Sequence, residues 1–258
     1  MFGNDPDRAL SLLADAARAT DPHLRELARR LAARLVVDIA RRGRVRRSGV
    51  GLMETQRYRP DGGDVDIDAS MEALSGRAIG QALDVEALRL RAWSRPTTAL
   101  CLLIDSSGSM RGRSLATAAL AAAAVALRAP ADHAVLSFSS NVTVIKGLHE
   151  GVGVERVVDD VLALRGKGTT DLAAALREAA EQLRGARAAR AVTLLVSDCR
   201  ANAPGDVVSC AAALDELLIV APSGDDADAI RLANEAGARI ASVDGPSALP
   251  AAMSDLLG

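Results

Sequence analysis

Aromatic residues are nearly missing from this chain: Phe2, Tyr58, Trp93 and Phe138 are the whole set in 258 residues. So scattered an inventory builds no platform on which successive bases could stack, and with a net charge of −2 there is no basic field to hold a phosphate backbone. Nucleic acid is therefore not the expected partner. Lysine occurs only at 146 and 167, so positive charge is almost all arginine. The three cysteines, Cys101, Cys199 and Cys210, are odd in number and lack Cys-x-x-Cys spacing, which argues against a disulfide framework and for reduced thiols. No membrane span is expected, because the longest apolar stretch, 115–127, is short and alanine-rich. The first residues, Met-Phe-Gly-Asn-Asp-Pro-Asp-Arg, show no basic segment followed by an apolar core, so no secretory leader is expected and the location reads as cytoplasmic. What remains is ample: 49% hydrophobic residues suffice for one full α/β core with a modest extra segment.

The most informative stretch is Thr98–Met110, where an apolar run ends in Asp-Ser-Ser-Gly-Ser-Met. Residues 99–104 have the length and branching of a buried parallel strand, which puts Asp105, Ser107 and Ser109 on the turn at its C-terminal end. Open α/β sheets bind their ligands there. Alternate residues of an extended turn project to one side, so a carboxylate and two hydroxyls can converge on one ion, with Gly108 expected to let the backbone bend around it. Hard oxygen donors suit Mg²⁺ or Mn²⁺ rather than zinc. Two further segments bring oxygens to strand or helix ends: the glycine-rich turn Gly166-Lys167-Gly168-Thr169-Thr170-Asp171, and Ser197-Asp198 after the apolar run 191–196.

This three-part pattern resembles the von Willebrand factor A (VWA) domain with its metal-ion-dependent adhesion site, over residues 98–258. The strings Asp-Ser-Ser-Gly-Ser-Met, Gly-Thr-Thr-Asp-Leu-Ala-Ala-Ala-Leu and Leu-Leu-Val-Ser-Asp-Cys-Arg-Ala-Asn are most similar to the bacterial intracellular branch. That branch includes the VWA part of the magnesium-chelatase D subunit and the CoxE-like proteins that accompany MoxR-type AAA+ ATPases. The resemblance implies Ser107, Ser109 and Thr170 as direct metal ligands, Asp105 and Asp198 as ligands directly or through water, and Asp171 one layer out. It implies Mg²⁺ or Mn²⁺ as the ion. Two carboxylates balance its charge, so the metal stays electrophilic and an acidic side chain of a partner protein can complete its coordination. One departure is Cys199, where that branch usually has glycine; the loop geometry there is open to question, and the thiol beside it is expected to be oxidation-sensitive.

Along the chain, strands alternate with helices from residue 98 onward, which predicts a doubly wound, mostly parallel sheet; six strands with one antiparallel edge hairpin fit the family fold. The division expected is a mainly helical N-terminal extension, 1–95, and a VWA domain, 96–258. Within the extension, Leu24, Leu27, Leu31, Leu35 and Ile39 form an apolar stripe on a basic helix that Asp21 and Pro22 start and Gly43 ends. The arginine run 41–47 reads as a solvated face or a surface that pairs with the acidic segment, with a docking role as the alternative. Asp64-Val65-Asp66-Ile67-Asp68 reads as an exposed edge strand leading into a helix near 70–74, and 84–94 as a strand or short helix.

Blander readings exist for each motif residue, since Asp105 and Thr170 could cap the helices that follow them. Their joint occurrence is what favours a metal site. His23, His133 and His149 lie outside the motifs and read as ordinary histidines. Gly166-Lys167-Gly168 lacks the spacing of a phosphate loop, so no ATP site is expected. A dehalogenase-type phosphatase needs a second Asp where Ser107 stands, and no general base lies in the motif turns, so catalysis is not expected. The reading is a Mg²⁺-dependent protein-interaction module, an adaptor for an AAA+ ATPase. A tetrapyrrole-chelatase VWA subunit is the alternative, and a Mg²⁺-dependent phosphohydrolase the more remote one.

Overall fold

The computed structural model describes residues 6–17, 22–42, 52–58, 64–75, 84–94, 98–108, 112–166 and 168–258. In chain order the first elements are helices α1 (Pro6–Ala16) and α2 (Pro22–Arg42), strands β1 (Leu52–Arg57) and β2 (Asp64–Val65), helix α3 (Ile67–Ser75) and strand β3 (Arg89–Ser94). Then come β4 (Thr98–Asp105), α4 (Gly112–Arg128), β5 (His133–Phe138), β6 (Val142–Lys146), α5 (Val154–Leu162), α6 (Leu172–Arg184) and β7 (Arg190–Val196). The chain closes with α7 (Val207–Ala212), β8 (Leu217–Pro222), α8 (Ala227–Ala236), β9 (Arg239–Val243) and α9 (Leu249–Leu257). Two compact units result, one made of Met1–Val45 with Thr98–Gly258, the other of Arg46–Thr97. This differs from a division at 95/96, because α1 and α2 pack on α4 and α5 and so belong with the main sheet.

The main sheet has the order β6-β5-β4-β7-β8-β9, parallel throughout except for the antiparallel β5–β6 hairpin. It is the doubly wound, six-stranded sheet that the alternation predicts. Strand β4 lies inside it and serves both faces: Leu100, Leu102 and Ile104 enter one core with α1, α2, α4, α5 and α9, while Ala99, Cys101 and Leu103 enter the other with α6, α7 and α8. Period-two alternation with both faces apolar is what makes such a strand read as an unbroken hydrophobic run. The described motif residues lie at the C-terminal ends of β4 and β7 or on loops that reach them.

Helix α4 carries the alanine-rich run and is buried from Leu115 to Ala123 without interruption. Its small side chains let other helices come close, and that changes the reading of α2. The helix exists as predicted, but its buried face is Ala28, Ala32, Ala33, Val36, Val37 and Ala40. Leu27 and Leu31 of the expected leucine stripe are 49% and 47% exposed, and Leu35 and Ile39 are half-buried. Alanines fit the shallow seam against α4, where leucines would hold the helices apart. Gly43, Pro96, the arginines beyond Arg42 and the side chains of Leu24, Arg41 and Arg42 lie outside the described residues. Among those described, no helix is long and apolar enough to cross a membrane.

The smaller unit is an antiparallel sheet of order β1-β3-β2 with α3 following β2. The acidic alternation 64–68 is a strand only at Asp64–Val65. Asp66 instead starts α3, earlier than expected, by accepting from Ala69 N at 3.1 Å, and it also accepts from Thr55 Oγ1 at 2.8 Å. Those bonds, the backbone one foremost, hold its carboxyl below the usual range. A capping aspartate inside an alternating pattern ends the strand three residues sooner than the pattern alone would. Residues 84–94 supply both elements foreseen as alternatives, a 3-10 turn at Val85–Ala87 and then β3.

Candidate metal centre

Three turns meet at the C-terminal edge of the main sheet, and each pair of them is tied by a specific contact. Strands β4 and β7 run parallel with Ile104 beside Val196, so Asp105 and Ser197 leave the sheet together. Ser197 Oγ donates to Asp105 Oδ2 at 2.7 Å, and the other carboxylate oxygen accepts from Ser107 N at 2.8 Å. Thr170 N donates to Asn202 Oδ1 at 2.6 Å, which fastens the glycine-rich turn to the loop after β7. Gly166 closes the triangle: a Cβ on it would sit 2.1 Å from Ser107 O, so this turn can approach the β4 turn only because residue 166 is glycine.

Asp105 is buried at 6% exposure and Thr170 at 3%, while Ser107 is half-buried. The Thr170 hydroxyl has no hydrogen-bond partner among the described residues. Asp198 is half-buried, and its Oδ1 accepts from Arg200 N at 3.0 Å. Burial first, and also the negative charge of Asp105, hold its carboxyl above the usual range, against the pull of that backbone bond. The Arg200 side chain does not neutralise it by contact, because its guanidinium is engaged by Asp225 and Asp228. Ser109 and Lys167 lie outside the described residues.

The capping alternatives resolve differently at each position. Asp105 accepts from the N–H two residues on, inside its own turn, and does not cap α4. The cap of α6 is Asp171, which accepts from Ala174 N at 2.9 Å, and that leaves the Thr170 hydroxyl clear of the helix start. Gly108, expected to provide the bend, has nothing within 4 Å of a built Cβ and no left-handed backbone; the close approach belongs to Gly166. Ser197 and Asn202 hold the site together; the residue order marks Ser197 only as part of the oxygen-bearing strand end Ser197-Asp198, and does not single out Asn202.

The model of the family described as VWA domain containing CoxE-like protein matches residues 27–243, most of the chain. This chain belongs to the CoxE-like VWA family. No curated relative matches it. Among solved structures, the manganese-loaded TRAP protein of Plasmodium vivax shares 19% identity over 63% of this chain and 74% of its own, with a TM-score of 0.51. BatB from Bacteroides thetaiotaomicron shares 14% identity over 62% of this chain and 98% of its own, TM-score 0.50. A von Willebrand factor type A protein from Catenulispora acidiphila shares 16% identity over 64% of this chain at TM-score 0.49, and the present chain spans only 42% of that one. At these identities the likeness to the first two shows the fold.

In this CoxE-like chain, Cys199 occupies the left-handed region with φ 61°. That conformation strains any residue with a Cβ and would suit glycine. The thiol is not the reactive group its position implies. It is 6% exposed, and burial together with the charges of Asp198 and Asp105 pushes it up to about 12. At pH 8 very little of it is thiolate, the nucleophilic form. Burial likewise raises Cys101, which is fully enclosed, whereas Cys210 is half-buried. Alkylation of the native protein at pH 8 should therefore label Cys210 alone, as read by peptide mass mapping, with Cys199 modified only after unfolding.

Beyond the Cys199–Ala201 turn lies a cleft of about 360 Å³, floored by Val207, Val208 and Leu232 and rimmed by Arg231 and Glu235. The histidines stand apart from all this. His23 and His149 are exposed, and His133 is buried at the start of β5, the far end of that strand, with Nδ1 2.7 Å from Ala129 O. Burial, and then the Lys146 ammonium, hold its imidazole below the usual histidine range.

Proposed function

We propose that this chain is a divalent-metal-dependent protein-interaction module, with Asp105, Ser107, Ser109, Thr170 and Asp198 holding Mg²⁺ or Mn²⁺. The observation that carries the reading is the pairwise-tied set of three turns. They bring two carboxylates to one sheet edge, and among the described residues no basic side chain bonds either of them. A divalent cation answers that charge, and hydroxyls complete a hard-oxygen set. No three His, Cys, Asp or Glu side chains converge among the described residues, which is what a set built from two aspartates and several hydroxyls entails. The manganese-loaded state of the Plasmodium vivax TRAP protein supports a divalent ion.

When bound, the ion supplies Lewis acidity at an open coordination position, which suits a carboxylate from a partner protein. The chain's own residues do the rest. Ser197 and Ser107 N fix the Asp105 carboxylate, Asn202 fixes the Thr170 backbone, and Arg200 is kept off Asp198 by its pairs with Asp225 and Asp228. The apolar floor of the neighbouring cleft gives a partner's side chain a place to rest. Membership of the CoxE-like family supports an AAA+ ATPase of MoxR type as the partner, in the cytoplasm, with the chain acting as an adaptor and not as a catalyst.

Mn²⁺ titration followed by electron paramagnetic resonance tests the metal site. The Asp105→Ala variant should lose more than about a hundredfold in affinity, beyond the 10–100-fold typical of groups one layer out from a metal. Affinity capture with each protein, in Mg²⁺ and in chelator, tests the module: an AAA+ ATPase held only by wild type in Mg²⁺ supports it. Equal capture in all four conditions overturns it.

A further inference from the structure

The cleft beside the Cys199–Ala201 turn opens one residue after Asp198, and two helices build its floor. Val207 and Val208 begin α7, where Asp206 caps the helix by accepting from Ser209 N at 3.0 Å, and Leu232 comes from α8. Both valines are half-buried and Leu232 is buried, so the floor is aliphatic and open to solvent above. At about 360 Å³ the space is at the small end of ligand pockets, room for a long side chain and little more.

The charges on the rim do not balance. Arg200 is held by Asp225 and Asp228, and Arg231 pairs with Asp228 at 2.7 Å, so both arginines are engaged. Glu235 is exposed, and among the described residues no cation pairs with it. It also stands in the last turn of α8, which has no basic residue there and ends at the left-handed Gly237. A carboxylate at that end of a helix opposes the helix dipole and adds to the negative charge of the last carbonyls. A cation placed there answers both.

An aliphatic floor with one uncompensated carboxylate at its rim is the surface that a long cationic side chain covers, methylenes down and charge outward. Of the two such side chains arginine fits better. Its guanidinium meets a carboxylate through two parallel hydrogen bonds and is more weakly hydrated than an ammonium.

We infer that this cleft receives an arginine side chain of the partner protein, its stem on Val207, Val208 and Leu232 and its guanidinium on Glu235. The inference deepens the interaction-module reading and rests on it for the partner, while the cleft itself contains none of the proposed metal ligands. It gives the contact surface a second point beside Asp198, and a partner held at two points is bound in one orientation.

The probes are the blocked tripeptide Ac-Gly-Arg-Gly-NH₂ and its norleucine counterpart, each titrated into the full chain in chelator and followed by the methyl NMR signals of Val207, Val208 and Leu232. The arginine probe should shift those methyls and bind about three- to fivefold more tightly than the norleucine probe, the range for an exposed ion pair. Glu235→Gln should bring the arginine probe down to the norleucine level, and Glu235→Arg should weaken it further. Added salt should weaken the arginine probe on wild type and leave Glu235→Gln unaffected. Equal binding of the two probes, or an unchanged affinity in Glu235→Gln, overturns the arginine; no methyl shift with either probe overturns the cleft as a docking site. Shifts that follow protein concentration without any probe would identify the occupant as a second copy of this chain and overturn the partner's arginine. Asp105→Ala should bind the arginine probe as wild type does. Failure of the probe thus overturns this inference alone, and wild-type Mn²⁺ affinity in Asp105→Ala overturns the metal reading alone.

Discussion

Gly166→Ala, a change of one methyl group, is expected to reduce Mn²⁺ affinity by more than about a hundredfold while Gly108→Ala changes it little. The two glycines belong to turns that touch each other, and they differ in what surrounds them. A Cβ on Gly166 would meet Ser107 O at 2.1 Å, Ser107 C at 3.0 Å and Gly108 Cα at 3.2 Å. All three are backbone atoms, so no flexible side chain can swing away, and one turn has to shift. Metal ligands must sit within about 0.2 Å of their ideal distances, which a shift of that size cannot respect. The overpacking itself should cost about 1–3 kcal/mol of stability. Gly108 has open space around its would-be Cβ and should lose no more than about 0.5 kcal/mol, as a surface change. Mn²⁺ titration and urea unfolding of both variants read the contrast. Near-wild-type affinity in Gly166→Ala would mean that the two turns do not depend on each other.

Glu216→Ala is expected to lower stability by about 2 kcal/mol at pH 7, the range for hydrogen bonds to charged groups on a partly screened site. Arg190 donates to both Glu216 oxygens at 2.6 Å, Arg239 pairs with the same carboxylate, and Arg190 also donates to Leu257 O at 2.8 Å. One glutamate thereby joins β7, β8 and β9 and, through Arg190, the last turn of α9. The Arg190 hydrogen bond, first among the causes, holds the Glu216 carboxyl below the usual glutamate range. A lowered carboxyl stabilises the folded state above its unfolded pKa, and this contribution is lost as pH falls through the folded one. Wild type should therefore lose stability on acidification more steeply than Glu216→Gln. Urea midpoints at pH 7 and pH 4 measure both effects, and a variant with the wild-type midpoint at pH 7 would show the network to be ornamental.

Much of this was legible in the residue order. Apolar runs of strand length separated by helical periods gave every element of the main sheet, because a strand buried on both faces can be written in few ways. The partial misreading of α2 has a different origin: periodicity finds the axis of a helix, but it picks the larger residues as the buried ones. Here the seam against α4 is lined with alanine and valine, and Leu27 and Leu31 face outward, so the choice depends on the neighbour's side chains and not on the helix itself. Asp66 shows the same limit, since its role as a cap depends on where Ala69 N points. At the sheet edge, Asp105, Thr170 and Asp198 stand out by motif, yet Asn202 does not and Ser197 does so only as part of the strand end Ser197-Asp198, because the contribution of both is a contact between segments far apart in the chain. Gly166 and Gly108 cannot be ranked without knowing which turn crosses which.

The placement of α1 bears on how this molecule assembles during synthesis. Asp15 accepts from Gly112 N, 97 positions later, and Asp7 from Ser247 N, 240 positions later. A ribosome adds about 5–20 residues per second, so α1 waits on the order of tens of seconds while the sheet it will brace is still being made. During that interval its buried side, Leu10 and Ala14, has α2 to pack on but not yet α4. Docking of α1 onto the sheet is thus among the last steps of the fold.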